Sequence, residues 1–423
     1  MRPASALLAL LPFAPTVWGR IKYLGVALAG IDFGCDIDGS CPLDTVQIPL
    51  STHGGPDGEG QMKHWVKNYD MNMFRLSSTW QFLTNDNLGG KLDKKNFGIF
   101  DELMQACLDT GAYCIIDIHN FARYDGGIIG QGGPTDEVFA DLLTQLTKKY
   151  PDNEKVAFGL MNEPHDIDIN RWGETCQVAV NAIRAAETTD HMILLPGTNF
   201  TNVETFIITG SADALHKVTN PDGSHDNLFF DFHKYLDENN SGTHETCTTD
   251  NVEAYGRMAD WLREHDRKAI ISESGATMDE TCFERFCRQN EFINENIDVF
   301  EGFIGWGAGA FAEDYLLSLT PKSDGDGTFV DNRLMTECIV KPFGAKAQAK
   351  PTTTKKTTTH HHTSTKATST EPTSTGTSST ITSAPPQPTE TGDSEEVTED
   401  SAAASAGVSF FTILLSFLII TFM

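Results

Sequence analysis

Eight short apolar runs limit the architecture of this chain more than any other feature. They are YLGVALAG, MFRLSS, YCIIDIHN, VAFGLMNE, MILLPGTN, LFFDFHKY, AIISES and GFIGWGAGAF. A strand with one wet face alternates apolar and polar residues; near-continuous apolar runs belong to strands covered on both faces. Amphipathic segments separate most of the runs, the clearest being GQMKHWVKNY, FGIFDELMQACLDTG, TDEVFADLLTQLTKKY and NVEAYGRMADWLREH. Eight strand-and-helix units predict an α/β fold, a (β/α)8 TIM barrel. An open doubly wound sheet is the alternative, but no Gly-rich phosphate loop follows the first run.

The barrel reading locates a site. In such barrels the strands deliver functional side chains at their C-terminal ends. Here those ends carry Arg75, His119 with Asn120, Asn162 with Glu163, Asn199, His233 with Tyr235, Glu273 and Trp306. A polar residue closing one strand is usually a cap or a loop hydrogen bond. Seven of eight strands closing this way point to a pocket. Its chemistry is set by Glu163 in GLMNEPHD and Glu273 in AIISESG. Two carboxylates, an aromatic floor and neutral hydrogen-bonding groups suit cleavage of a glycosidic bond. One acid protonates the leaving oxygen while the other attacks or activates water. No His-Glu-x-x-His or Cys/His cluster suggests a metal, no G-x-S-x-G elbow suggests a serine triad, and no cofactor is expected.

The two ends of the chain read differently from the middle. Residues 1–19 form a secretory signal: Arg2, the apolar run ALLALLPFA, then small residues. Residues 20–343 are the barrel domain. Residues 344–400 are rich in Ser, Thr and Pro and nearly free of large apolar groups, so they are expected to be a disordered, O-glycosylated stalk. The run His360, His361 and His362 within it lacks partner ligands at fixed spacing. Residues 401–423 end in an apolar stretch from Val408 to Met423 with no basic residue after it. That pattern fits a glycosylphosphatidylinositol anchor signal attached near Ser401, Ser394 or Gly392, with a membrane helix as the runner-up. A monomer is expected, with membrane contact only through this tail. The formal charge of −28 argues against nucleic acid, whose phosphates it would repel.

Nine cysteines in a secreted chain imply disulfides and one thiol left over. Close spacing pairs Cys35 with Cys41 and Cys107 with Cys114. Cys247, Cys282, Cys287 and Cys338 supply two more bridges, whose connectivity spacing leaves open. Cys176 lies in a helical pattern with Val180 and Ile183 and reads as a buried free thiol. Two glycosylation sequons occur. Asn199-Phe-Thr is assigned to the cleft edge, and Asn239-Asn-Ser to the glycan.

The motifs GLMNEPHD, IIDIHNFARYDGGIIGQGGP, FDFHKYLD, ISESG and GWGAGAF carry a resemblance to glycoside hydrolase family 5, within it the fungal secreted endo-β-1,4-glucanases. It runs from about Tyr23 to Cys338. The resemblance implies a retaining cellulase acting on a β-glucan, with Glu163 as acid/base and Glu273 as nucleophile. Asn162 matches the residue that binds the sugar 2-hydroxyl, Arg75 and Tyr235 those that hold Glu273, and His119 and His233 the histidines that position the acids and the sugar. Trp306 matches the platform beneath the sugar at the cleavage point, and the flanking Gly305 and Gly307 are read as leaving room around its ring. Trp80 matches a further platform; Asn120, Tyr124 and Asn199 complete the expected substrate-binding set. Tyr124 and Phe200 stand where some relatives have tryptophan, and no Cys-rich cellulose-binding module is present. Competing readings are a β-mannanase or wall-remodelling transglycosylase, and a wall protein that binds glycan without catalysis.

Overall fold

A computed structural model of the protein describes residues 19–188, 190–325 and 328–344. The eight runs form eight parallel strands: β1 (Tyr23–Ala29), β2 (Met73–Ser78), β3 (Tyr113–Ile118), β4 (Val156–Gly159), β5 (Met192–Pro196), β6 (Leu228–His233), β7 (Ala269–Ser274) and β8 (Phe300–Gly309). Each pairs with its neighbour in chain order, and β1 pairs with β8, so the sheet closes into a barrel. Helices cross between successive strands: α1 (Gly58–Tyr69), α2 (Lys94–Leu108), α3 (Asp136–Thr147), α4 (Ile169–Ala186), α5 (Ser211–His216), α6 (Val252–Glu264) and α7 (Glu280–Glu295). Asp57, Asp93, Thr135, Asp168 and Asp279 cap the starts of α1, α2, α3, α4 and α7 by accepting first-turn N–H groups. Each such cap is worth about 1 kcal/mol.

The period-two geometry of strands divides the barrel into two cores. Tyr23, Ala27, Met73, Ile115, Ala157, Leu194, Phe229, Ile270 and Ile304 fill the interior. Their neighbours in sequence, such as Leu24, Val26, Phe74, Ile116 and Phe158, pack outward against the helices. One step up four of the inner columns the side chains turn polar: Arg75 above Met73, Asp117 above Ile115, Asp231 above Phe229 and Ser272 above Ile270. The barrel is therefore oily at its base and charged beneath its mouth.

Glu273 departs from this alternation. Ile270 and Ser272 face inward, so an undisturbed strand would send Glu273 outward. The ladder slips at this point against both neighbours. Phe232 pairs with Ile271 but His233 with Glu273, and Phe303 pairs with Ile271 but Gly305 with Ser274. An extra residue in a strand rotates the following side chain to the other face. The bulge aims Glu273 into the barrel.

Four disulfides join Cys35 to Cys41, Cys107 to Cys114, Cys247 to Cys282 and Cys287 to Cys338. The first two match the spacing argument, and the fold settles the connectivity of the last four cysteines. Cys176 is free and buried; desolvation pushes its thiol well above the ordinary range, so it packs as a small hydrophobe. The signal segment up to residue 18, the stalk from 345 and the hydrophobic end lie outside the described residues. Among the described residues no helix is long and apolar enough to cross a membrane.

Candidate active site

A cavity of about 490 Å³ opens over the C-terminal ends of the strands, lined among others by Glu163, Asn199, Tyr235, Glu273 and Trp306. A larger open depression of about 710 Å³ lies against the outer face of α7, beside Glu284, Arg285, Arg288 and Glu291. It holds none of the site residues.

The two acids at the cavity floor have different surroundings. Glu273 takes one donor on each oxygen: Arg75 Nη1 at 2.6 Å on Oε2 and the Tyr235 hydroxyl at 2.7 Å on Oε1. Both donors are buried. Charge-assisted bonds of this kind hold a carboxylate in one orientation and stabilise its charge. Among the described residues no Lys or Arg contacts Glu163. Its Oε1 lies 2.8 Å from His233 Nδ1, and His233 Nε2 lies 3.0 Å from the Ser272 hydroxyl. Burial pushes the Glu163 carboxyl up to about 7, against the pull of His119 and Arg75. Burial likewise lowers His233, which favours its neutral form. One acid is thus set up to keep a proton and the other to carry charge. An oxygen of Glu163 and an oxygen of Glu273 stand within 4.8 Å of each other.

Arg75 ties the site together. Besides Glu273 it donates from Nη2 to Asn162 Oδ1 at 2.6 Å and pairs with Asp117 Oδ1 at 3.0 Å. The other Asp117 oxygen lies 2.9 Å from His119 Nδ1. Burial pulls the His119 ring down, but Asp117 and then Asp32 outweigh it and raise it to about 8. His119 in turn stacks on the Trp306 ring, with centroids 5.7 Å apart and planes 18° from parallel. Glu163, His233 and Glu273 also form the one group among the described residues that brings three potential metal ligands together. The Arg75 guanidinium, 2.6 Å from Glu273, already supplies the positive charge there.

Comparison with known proteins gives this geometry its family. The model for cellulase, glycosyl hydrolase family 5, matches residues 40–310. The chain belongs to glycosyl hydrolase family 5. This family 5 member is 48% identical over 326 residues to endoglucanase EG-II of Hypocrea jecorina, covering 76% of this chain and 78% of the relative. It is 42% identical to endoglucanase 1 of Saitozyma flava, over 75% of this chain and 89% of that one. The crystal structure of Cel5A (EG2) from Hypocrea jecorina superposes with a TM-score of 0.74 at 48% identity, covering 76% of this chain and 98% of that one.

Three of the expected substrate-binding residues of this family 5 chain lie away from the cavity. Trp80 is 0% exposed and packs edge-on to Tyr124 and against Phe139. It opens a short helix, Trp80–Thr84, that turns into the outer core. Asn120 is fully buried and pins that helix: its Oδ1 accepts from Trp80 N at 2.8 Å, and its Nδ2 donates to Gln81 Oε1 at 2.7 Å. Tyr124 is buried with its hydroxyl on Asp86. Asn199 does line the cavity, in the left-handed region at φ 55°.

Trp306 lines the cavity but is only 7% exposed. The flanking glycines have a different use from the one expected. A Cβ on Gly305 would come 2.7 Å from Leu319, and one on Gly307 would come 3.1 Å from Phe311. The glycines admit the 311–319 segment against the strand, and Phe311 meets the Trp306 ring edge-on. Sequence reasoning missed Asp117 and Ser272 in this family 5 site. Both sit one step inside the strand ends it considered, on the inward register.

Proposed function

We propose that the protein is a retaining endo-β-1,4-glucanase, with Glu163 as acid/base and Glu273 as nucleophile. The observation that carries the reading is the acid pair itself. Its oxygens approach within 4.8 Å, where retaining enzymes hold their carboxyls about 5–5.5 Å apart and inverting ones leave about 6.5–9.5 Å for a water. Glu163 protonates the leaving glycosidic oxygen while Glu273 attacks the anomeric carbon and forms a glycosyl-enzyme. Glu163 then takes a proton from water, which hydrolyses that ester with net retention. Asn162, fixed by Arg75, faces the sugar 2-hydroxyl. His233 holds Glu163, and Trp306 backed by His119 forms the floor beneath the sugar ring. Both acids are present and differently partnered, which supports catalysis over simple glycan binding. The test follows cello-oligosaccharide hydrolysis by NMR, together with the viscosity of carboxymethyl-cellulose. Retained β-configuration and an early viscosity loss are expected. Initial α-product would overturn the roles, and turnover confined to mannan would overturn the substrate.

The proposed setting is outside the cell, held at its surface by the C-terminal lipid signal. Four disulfides support an oxidising compartment. Phosphatidylinositol-specific phospholipase should release active enzyme from intact cells; retention of a chain still carrying Met423 would show a membrane helix instead.

A further inference from the structure

Two glycosylation sequons flank the same cleft, and the fold leaves only one of them open. In Asn199-Phe-Thr, the Asn199 Nδ2 is spent on Thr205 Oγ1 at 2.8 Å, and the buried Thr201 hydroxyl donates to the Asp231 carbonyl at 2.5 Å. In Asn239-Asn-Ser, Asn239 is an exposed loop tip. Its Oδ1 accepts from the Ser241 N–H at 3.1 Å and hydroxyl at 2.7 Å, bonds that do not engage the amide nitrogen.

The loop that carries Asn239 is rigid and part of the cleft. The buried Asp237 carboxylate accepts from Gly242 N at 3.1 Å, Thr243 N at 3.2 Å, His244 N at 3.3 Å and the Ser241 hydroxyl at 3.1 Å. Asn240 Oδ1 accepts from Tyr235 N at 2.9 Å, so the loop is tied to the residue that holds Glu273. Gly242, at φ 69°, lies against Tyr235 and Leu317, where a Cβ would come within 2.8–2.9 Å. Residues 239–243 line the cavity together with Glu163 and Glu273.

We propose that Asn239 carries an N-linked glycan that forms part of the cleft wall and screens out side-substituted glucan chains. The inference rests on the glucanase reading. In the modification, the Asn239 amide nitrogen bonds to the anomeric carbon of a lipid-pyrophosphate-linked oligosaccharide. The bond from that carbon to the pyrophosphate oxygen breaks, the lipid pyrophosphate leaves, and the amide nitrogen gives up one proton. A glycan fixed to so rigid a loop swings aside only at an entropic cost, so a bare chain passes and a decorated one meets it.

The experiment uses the full chain expressed in a yeast host and released from the cell surface by phosphatidylinositol-specific phospholipase. Peptide mass spectrometry reads occupancy of Asn239, and an endoglycosidase that leaves a single sugar then trims the folded protein. The measured quantity is kcat/KM on hydroxyethyl-cellulose relative to cellotetraose. Trimming should raise this ratio about fivefold, comparable to freeing one immobilised group, and Asn239→Gln and Ser241→Ala should each reproduce the rise. An unmodified Asn239, or an unchanged ratio after trimming, overturns the proposal. Loss of turnover on cellotetraose itself before trimming counts against the glucanase reading instead.

Discussion

Replacing Arg75 by lysine keeps the buried positive charge and removes the planar fork. The guanidinium reaches Glu273, Asn162 and Asp117 on three different strands or strand ends, at 2.6, 2.6 and 3.0 Å. An ammonium on a shorter stem can satisfy one of them well. Two charge-assisted bonds are then lost, each worth about 1.5–3 kcal/mol. Partial rearrangement around the ammonium brings the expected loss of stability to the low end, about 3 kcal/mol. For a domain of this size that lowers Tm by roughly 4–5 °C, so the variant stays folded at room temperature. The catalytic effect is separate. Glu273 keeps Tyr235 but loses the donor that fixes its second oxygen, and a misplacement of about 1 Å costs roughly 100-fold. The assay is kcat and KM on a chromogenic cellobioside, with calorimetry on the same sample. The expected result for Arg75→Lys is a kcat fall of about 100-fold with KM little changed. A variant that loses the expected Tm yet keeps kcat within threefold would show that Arg75 serves stability alone. A pure rise in KM would assign it to substrate binding.

The other expected outcomes follow from the same contacts. Glu273→Gln should abolish turnover of every substrate, whereas Glu163→Gln should be mildest on activated leaving groups and be rescued by azide, with equal unrescued losses counting against Glu163 as the acid. Because Glu163 titrates at about 7 and must be protonated to act, kcat/KM should fall as pH rises through about 7, and a profile flat to pH 9 would refute the assignment. Stability should also decline as pH rises from about 4.5 to about 8. The folded Glu163 retains a proton that the unfolded chain has released, across the window from its ordinary value to about 7. The His119 contribution is complete below 6.5 and fades as pH rises through about 8. Thermal melts that improve from pH 5 to pH 8 would contradict this. Asp117→Asn should bring the His119 titration, read by NMR, down from about 8 and lower kcat without raising KM; an unmoved histidine would remove Asp117 from the network.

The barrel was legible because strands buried on both faces cannot hide their apolar character, and the acids because they interrupt it. Glu163 and Glu273 stand out as carboxylates placed where a hydrophobic run stops. What escaped notice depended on direction and depth. Asp117 lies within an apolar run, where an acid reads as an anomaly until the period-two register places it directly above Ile115. Trp80 and Tyr124 follow strand ends just as Trp306 ends its own run, yet a short helix pinned by Asn120 turns them into the outer core. No local pattern distinguishes an aromatic facing a cleft from one facing a helix. The bulge in β7 is a property of two neighbouring ladders, and the pairing of Cys287 with Cys338 depends on which helix the C-terminal segment meets.

That last pairing has a mechanical side. Six residues before Gly344, Cys338 is crosslinked to Cys287 on α7; the Asn290 side chain holds the Cys338 carbonyl at 2.7 Å, and Phe343 lies against Phe303 of β8 with ring centroids 4.9 Å apart. Tension arriving along the chain from beyond Gly344 first works on those few residues and then meets a covalent stop. From there it is borne by the body of α7 and does not unzip β8 from β1. Forced unfolding is governed by the barrier at the point where the force is applied, and here that point has been moved off the sheet. An enzyme dragged through a polymer meshwork by its C-terminal side would give up only the residues after Cys338, Phe343 among them, before the crosslink took the load.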